Sequence, residues 1–79
     1  MYFVYAIKSI TKNYIYVGMS NNLERRLKEH NNAENRSTKL YKPFVLILSE
    51  ELETREVARK REKFLKSGIG KEYLNTLFK

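Results

Sequence analysis

Three side chains able to do chemistry stand close together in YIYVGMSNNLERRLKEH, residues 14–30: Tyr16, Arg26 and His30, the last the only histidine of the chain. A guanidinium presents a planar fork that donates two parallel hydrogen bonds to a phosphate and keeps its charge at any working pH. Imidazole titrates near neutrality. A free phenol, with a pKa of about 10, takes part in proton transfer only where a cation favours its ionised form or an acceptor relays its proton. Such groups suit phosphate chemistry. The same letters also describe an ordinary strand running into an ordinary amphipathic helix, so the elements that position them matter.

Residues 2–7 (YFVYAI) and 14–18 (YIYVG) are rich in aromatic and β-branched types that fit a half-buried pleated surface. If Ser9 to Lys12 form a four-residue loop between them, Lys8 faces Asn13 and Tyr5 faces Tyr16, which sets two phenols on one face of a hairpin. Asn21 and Glu24 have capping-box spacing, so a helix is expected to start near Asn22. At about 100° per residue its packed side carries Leu23, Arg26, Leu27 and His30, while Arg25 looks outward. Residues 31–42 read as a surface loop. PFVLILSE reads as a third strand with Pro43 at its first position. ETREVARKREKFLKSG is a basic helix expected to bury Val57, Phe64 and Leu65, with Ala58 and Glu62 on one flank, and to end at Gly68 as a C-cap residue. A last helix over 70–78 would bury Leu74, Leu77 and Phe78.

With 79 residues there is room for one small domain, expected to span 1–79, of one sheet and two or three helices. No cysteine is present, which removes disulfides and thiolate zinc sites and is compatible with a reducing cytosol. The apolar runs are too short to span a bilayer and the N-terminus lacks a signal-peptide pattern, so a soluble, cytoplasmic protein without a membrane partner is expected. Sixteen Lys plus Arg against nine acids, all of them Glu, give a net charge of +7. That balance favours a polyanionic partner, though by itself it is weak. With no Asp and one His, a two-Asp cluster and a histidine-pair zinc site are excluded, and any metal would need Glu, backbone or water oxygens.

The order Tyr5, then Tyr16-Val17-Gly18, then NLERRLKEH, then REKF resembles the GIY-YIG nuclease family, in particular its small single-domain bacterial members of UPF0213 type. Phe3-Val4-Tyr5 and Tyr16-Val17-Gly18 stand for the two strand motifs. The resemblance implies an α+β fold with a small three-stranded antiparallel sheet flanked by helices. It implies hydrolysis of a DNA phosphodiester, branched or flapped DNA included, with one divalent ion, Mg²⁺ or Mn²⁺, and no obligate protein partner. Carried over, Glu62 ligates the metal, Arg26 holds the scissile phosphate, Tyr16 helps activate water, and Tyr5 and His30 support it. Arg26, Lys39, Arg59 and Lys63 are expected on the DNA backbone. A second histidine found after the first helix in some homing enzymes has no counterpart among Arg36, Ser37, Thr38 and Lys39.

Plainer readings stand beside these. Tyr2, Tyr14, Tyr41 and Tyr73 read as packing residues with a hydroxyl at the rim. Arg26 could snorkel past Leu23 and Leu27 to solvent, and His30 could be a hydrogen-bonded group at the core edge. Helical geometry alone puts Arg61 nearer the apolar centre than Glu62, and makes Glu62 an exposed i,i+4 partner of Lys66. The run Arg59, Lys60, Lys63, Lys66 is first a solvated face and second a DNA contact surface. Asn75 reads as structural. A module that keeps the fold and binds nucleic acid without turnover is the alternative function.

Overall fold

The strand YFVYAIKS, β1 (Tyr2–Ser9), is the central strand of a three-stranded antiparallel sheet in the computed structural model, which describes residues 1–32 and 38–78. β2 (Ile15–Ser20) pairs on one side of it and β3 (Phe44–Leu52) on the other, so that β2 and β3 are the two edges. α1 (Leu23–Asn31), α2 (Arg55–Lys66) and α3 (Gly68–Asn75) complete an α+β fold. Among the described residues no helix is long and apolar enough to cross a membrane.

Strand alternation divides β1 between two clusters. Val4 and Ala6 pack with Val17 of β2, Ala58 and Leu65 of α2 and Leu74 of α3. Tyr5 and Ile7 pack on the opposite face with Phe44, joined by Tyr14, Tyr16 and, from α1, Leu23 and Leu27. Each fully buried aliphatic side chain contributes about 1.5–3 kcal/mol. α1 therefore covers one face and α2 with α3 the other.

The hairpin departs from its expected register. Tyr5 pairs with Gly18 and Tyr16 with Ile7, two positions from the direct Tyr5–Tyr16 and Lys8–Asn13 pairing. The loop still has four residues, but it starts one later, because Ser9 belongs to the ladder: its N–H donates to the Tyr14 carbonyl at 2.9 Å, and its buried hydroxyl accepts from the Lys12 N–H at 3.0 Å. A shift of two preserves the faces, so both phenols remain on one side.

The helices bring further corrections. Asn22, not Asn21, caps α1, accepting from the Arg25 N–H at 3.0 Å. The other end of α1 is tied to β3, since the Phe44 N–H donates to Asn31 Oδ1 at 2.6 Å. Lys39–Tyr41 form a 3-10 turn instead of a plain loop, and Thr38 before it is fully buried, whereas Arg36 and Ser37 lie outside the described residues. β3 begins after Pro43. α2 buries Ala58, Glu62 and Leu65, while Val57 and Phe64 are 50% and 40% exposed. Arg61 of α2 is not at the centre: it pairs with both carboxylate oxygens of Glu50 on β3, at 2.7 and 2.9 Å, and lies over the Phe64 and Tyr73 rings.

Ser67, not Gly68, ends α2, and it also starts α3. Its hydroxyl donates to the Phe64 carbonyl at 2.6 Å and accepts from the Gly70 N–H at 3.2 Å. α3 thus opens two residues earlier than 70 and stops at Asn75, leaving Leu77 38% exposed and Phe78 half-buried. Gly70 permits the close turn, because a Cβ there would run into the Phe64 carbonyl and the Leu65 backbone.

Candidate active site

Gly18 and Tyr5 are partners across the hairpin, and the missing side chain of one makes room for the ring of the other: a Cβ on Gly18 would lie 2.7 Å from the Tyr5 oxygen and 2.9 Å from a Tyr16 ring carbon. This close approach is why the second strand motif ends on glycine. The Tyr5 and Tyr16 rings lie 6.3 Å apart, and the Tyr16 ring lies 4.8 Å from that of His30. Tyr5 is completely buried and Tyr16 half-buried, so of the two phenols Tyr16 is the one with access to solvent.

Behind Tyr5 runs a buried polar chain. Its oxygen is 3.0 Å from His30 Nε2, and His30 Nδ1 is 2.8 Å from Thr38 Oγ1. The Arg26 guanidinium lies near the same Tyr5 hydroxyl. Each imidazole nitrogen thus faces one hydroxyl, so the single proton of the neutral ring goes to one of them and the other hydroxyl donates to the bare nitrogen. Burial, followed by the charge of Arg26, pushes the His30 pKa below its usual value against an opposing pull from Glu29. Burial likewise raises the Tyr5 pKa, with the Arg26 hydrogen bond acting the other way. Near neutral pH the pair is an uncharged phenol bonded to an uncharged imidazole. Thr38 escaped the sequence reading because a threonine in a polar segment gives no signal until the fold buries it.

Arg26 is half-buried, as the helical spacing requires, and its Nη1 donates to Glu29 Oε1 at 3.0 Å. Its Nε is buried and, among the described residues, has no hydrogen-bond partner. A buried unpaired N–H of this kind costs stability unless something else accepts from it. The same arginine borders a hollow of about 410 Å³ at the β2 end of the sheet, lined also by Arg25, Arg55, Arg59 and Glu62. The hollow passes around the sheet from the α1 side to the α2 side.

Glu62 is 9% exposed, which corrects its reading as a solvated charge. Its carboxylate is paired with Lys66 at 3.3 Å and with Arg59 at 3.8 Å. The structure therefore brings Tyr5, Tyr16, Arg26 and His30 together on one face, and brings Arg26 and Glu62 to one hollow. Lys39 and Lys63 are exposed and do not line it, whereas Arg59 does. Asn75 is exposed beyond Lys66 at a separate groove. Among the described residues no group of three or more His, Cys, Asp or Glu could hold a metal ion, so a cation would depend on the single Glu62 carboxylate. That donor set fits Mg²⁺ or Mn²⁺, hard ions that fill the remaining positions from water and phosphate.

The sheet, its flanking helices and the tyrosine-lined strand pair form a small α+β domain. The GIY-YIG catalytic domain family matches residues 1–75, and the chain belongs to that family of endonucleases acting on DNA. The fold is also similar to the solution NMR structure of a UPF0213 protein from Bacillus halodurans, with a TM-score of 0.58 and 27% identity over 99% of this chain and 86% of the other. No curated protein matches the chain.

Proposed function

We propose that this chain is a metal-dependent endonuclease that hydrolyses a DNA phosphodiester in the hollow between α1 and α2. The observation that carries the reading is the double placement of Arg26, which lies near Tyr5 and His30 and also borders the hollow with Glu62. A phosphate oxygen there would accept from the part of the Arg26 guanidinium that borders the hollow. Tyr5 and His30 hold the guanidinium in place. Tyr16, the half-exposed phenol beside His30, lines the neighbouring groove and not the hollow, and would take a proton from a water attacking from that side. Glu62 would hold the divalent ion, which when bound neutralises charge on the phosphate and the leaving oxygen.

The ion pairs of Glu62 shape how that ion arrives. With Lys66 and Arg59 on the carboxylate and three further arginines around it, the free protein binds a dication weakly, and each phosphate in the hollow lowers the local positive charge. The same pairs favour the second reading, a module that binds DNA without turnover, because they already occupy the carboxylate.

The two readings separate in one assay. Supercoiled plasmid and branched or flapped oligonucleotides are incubated with Mg²⁺ or Mn²⁺, with chelator, and with Glu62→Gln. The endonuclease gives metal-dependent nicking that falls by about 10³-fold in the variant; salt-sensitive binding with no cleavage in any metal sinks it in favour of the binding module.

A further inference from the structure

Beyond the Glu62–Lys66 pair lies a second groove, of about 440 Å³, whose chemistry differs from that of the arginine hollow. Half-buried Tyr14, Ile15 and Tyr16 give it an apolar wall over Val17, Leu65 and Leu74, which are buried in the core beneath. The rim carries Lys66, Lys71 and Asn75, and no acidic residue lines it. On its open side runs β2, an edge strand. Lys66 belongs to this rim while its Nζ reaches Glu62, so the groove adjoins the hollow across that ion pair. Arg55, Arg59, Glu62 and Lys66, spaced i, i+4, i+7 and i+11, form one stripe along α2. At about 1.5 Å per residue the stripe is about 16 Å long, several times the rise of about 3.4 Å per nucleotide of a duplex strand.

We infer that this groove is a subsite for one unpaired nucleotide of the DNA strand whose phosphate occupies the arginine hollow, an inference that rests on the nuclease reading of that hollow. Lys66 and Lys71 meet the backbone phosphate, and the amide of Asn75, which both donates and accepts, meets the adjoining sugar–phosphate backbone. Charge complementarity selects a polyanion, and adjacency to the hollow selects the same strand. The apolar wall selects an unpaired base: phosphate oxygens would leave Tyr14, Ile15 and Tyr16 facing water, whereas the flat face of a base covers part of them. In a duplex that face is stacked on its neighbours and unavailable. Binding to base faces tolerates any sequence, so the subsite recognises single-stranded character and not base identity.

The test is fluorescence anisotropy in chelator, which prevents turnover, with a short labelled oligothymidylate and a blunt duplex of equal length. The proteins are the wild type, Lys71→Ala and Lys71→Ala/Asn75→Ala, both positions being exposed and each variant checked by thermal melting. The single strand is bound about fivefold more weakly by Lys71→Ala and more than about tenfold by the double variant, with duplex binding changed less than about twofold. For Lys71→Ala the slope of log affinity against log salt on the single strand becomes shallower by about 0.7, the loss of one phosphate contact. Unchanged single-strand affinity in the double variant, or equal losses on both ligands, overturns the subsite. Plasmid nicking run in parallel keeps the two ideas apart: nicking with unchanged single-strand binding in the variants removes the subsite alone, and the expected binding pattern without wild-type nicking removes the nuclease alone.

Discussion

The two faces of the sheet are built from alternate residues of one strand and serve opposite purposes. On the α2–α3 side β1 contributes Val4 and Ala6 to an aliphatic core that carries stability. On the α1 side it contributes Tyr5, joined to His30, Thr38 and Arg26 in a buried polar chain where a carbon-only core would be simpler and more stable. The difference teaches where function was placed. Polar groups were admitted on the face that covers the tyrosines, and Glu62, the one buried carboxylate among the described residues, sits where the two faces meet at the hollow.

That contrast can be broken by substitutions that move activity and stability separately. Arg26→Lys removes the planar fork but keeps the charge. Nicking is expected to fall by about 10²–10³-fold with a melting temperature within a few degrees of wild type; a lysine variant with near-normal turnover would detach Arg26 from the phosphate. On the stability side, Gly70→Ala pushes a methyl group into the backbone of Leu65 and is expected to cost about 3 kcal/mol in denaturant unfolding. Next, Tyr16→Phe keeps the ring and loses only the hydroxyl, so about 10²-fold of activity disappears while the fold stays intact. Arg61→Met breaks the Glu50 pair and its stacking on Phe64 and Tyr73; both ends are partly exposed, so the loss is about 1 kcal/mol with nicking unchanged.

The last test concerns His30 and is the smallest. Its folded pKa lies below the unfolded value of about 6.5, so the unfolded chain binds the extra proton first. The imidazole's contribution is complete above about pH 6.5 and is lost as pH falls toward the folded value. Melting curves should therefore shift down between pH 7 and pH 5, and His30→Gln should flatten that dependence. An equally steep slope in the variant would assign the acid sensitivity to other groups.

Much of this architecture was readable in the residues, and each failure has a physical cause. Alternation in YFVYAI and YIYVG placed both phenols on one face even though the register was off by two, because the loop moved by one residue and face parity survived. Ser9 looked like turn material and was instead the last rung of the ladder. On α1 the helical period placed Arg26 and His30 inward, as the fold does. On α2 the bulky apolar letters misled. Phe64 lies at the surface under the Arg61 guanidinium, and the small Ala58 marks the true contact line, which carries Glu62 inward with it. Side-chain size overruled helical phase in that reading. Family resemblance, not periodicity, singled out Glu62, and nothing local in the sequence pointed to Thr38.

One serine sets the mouth of the second groove. The Ser67 hydroxyl ties the last turn of one helix to the first turn of the next, so Lys66 and Lys71 stand on arms joined by a hydrogen-bonded corner. On the proposed reading that corner sets the spacing of the two ammonium groups, and with it the width of strand the groove admits.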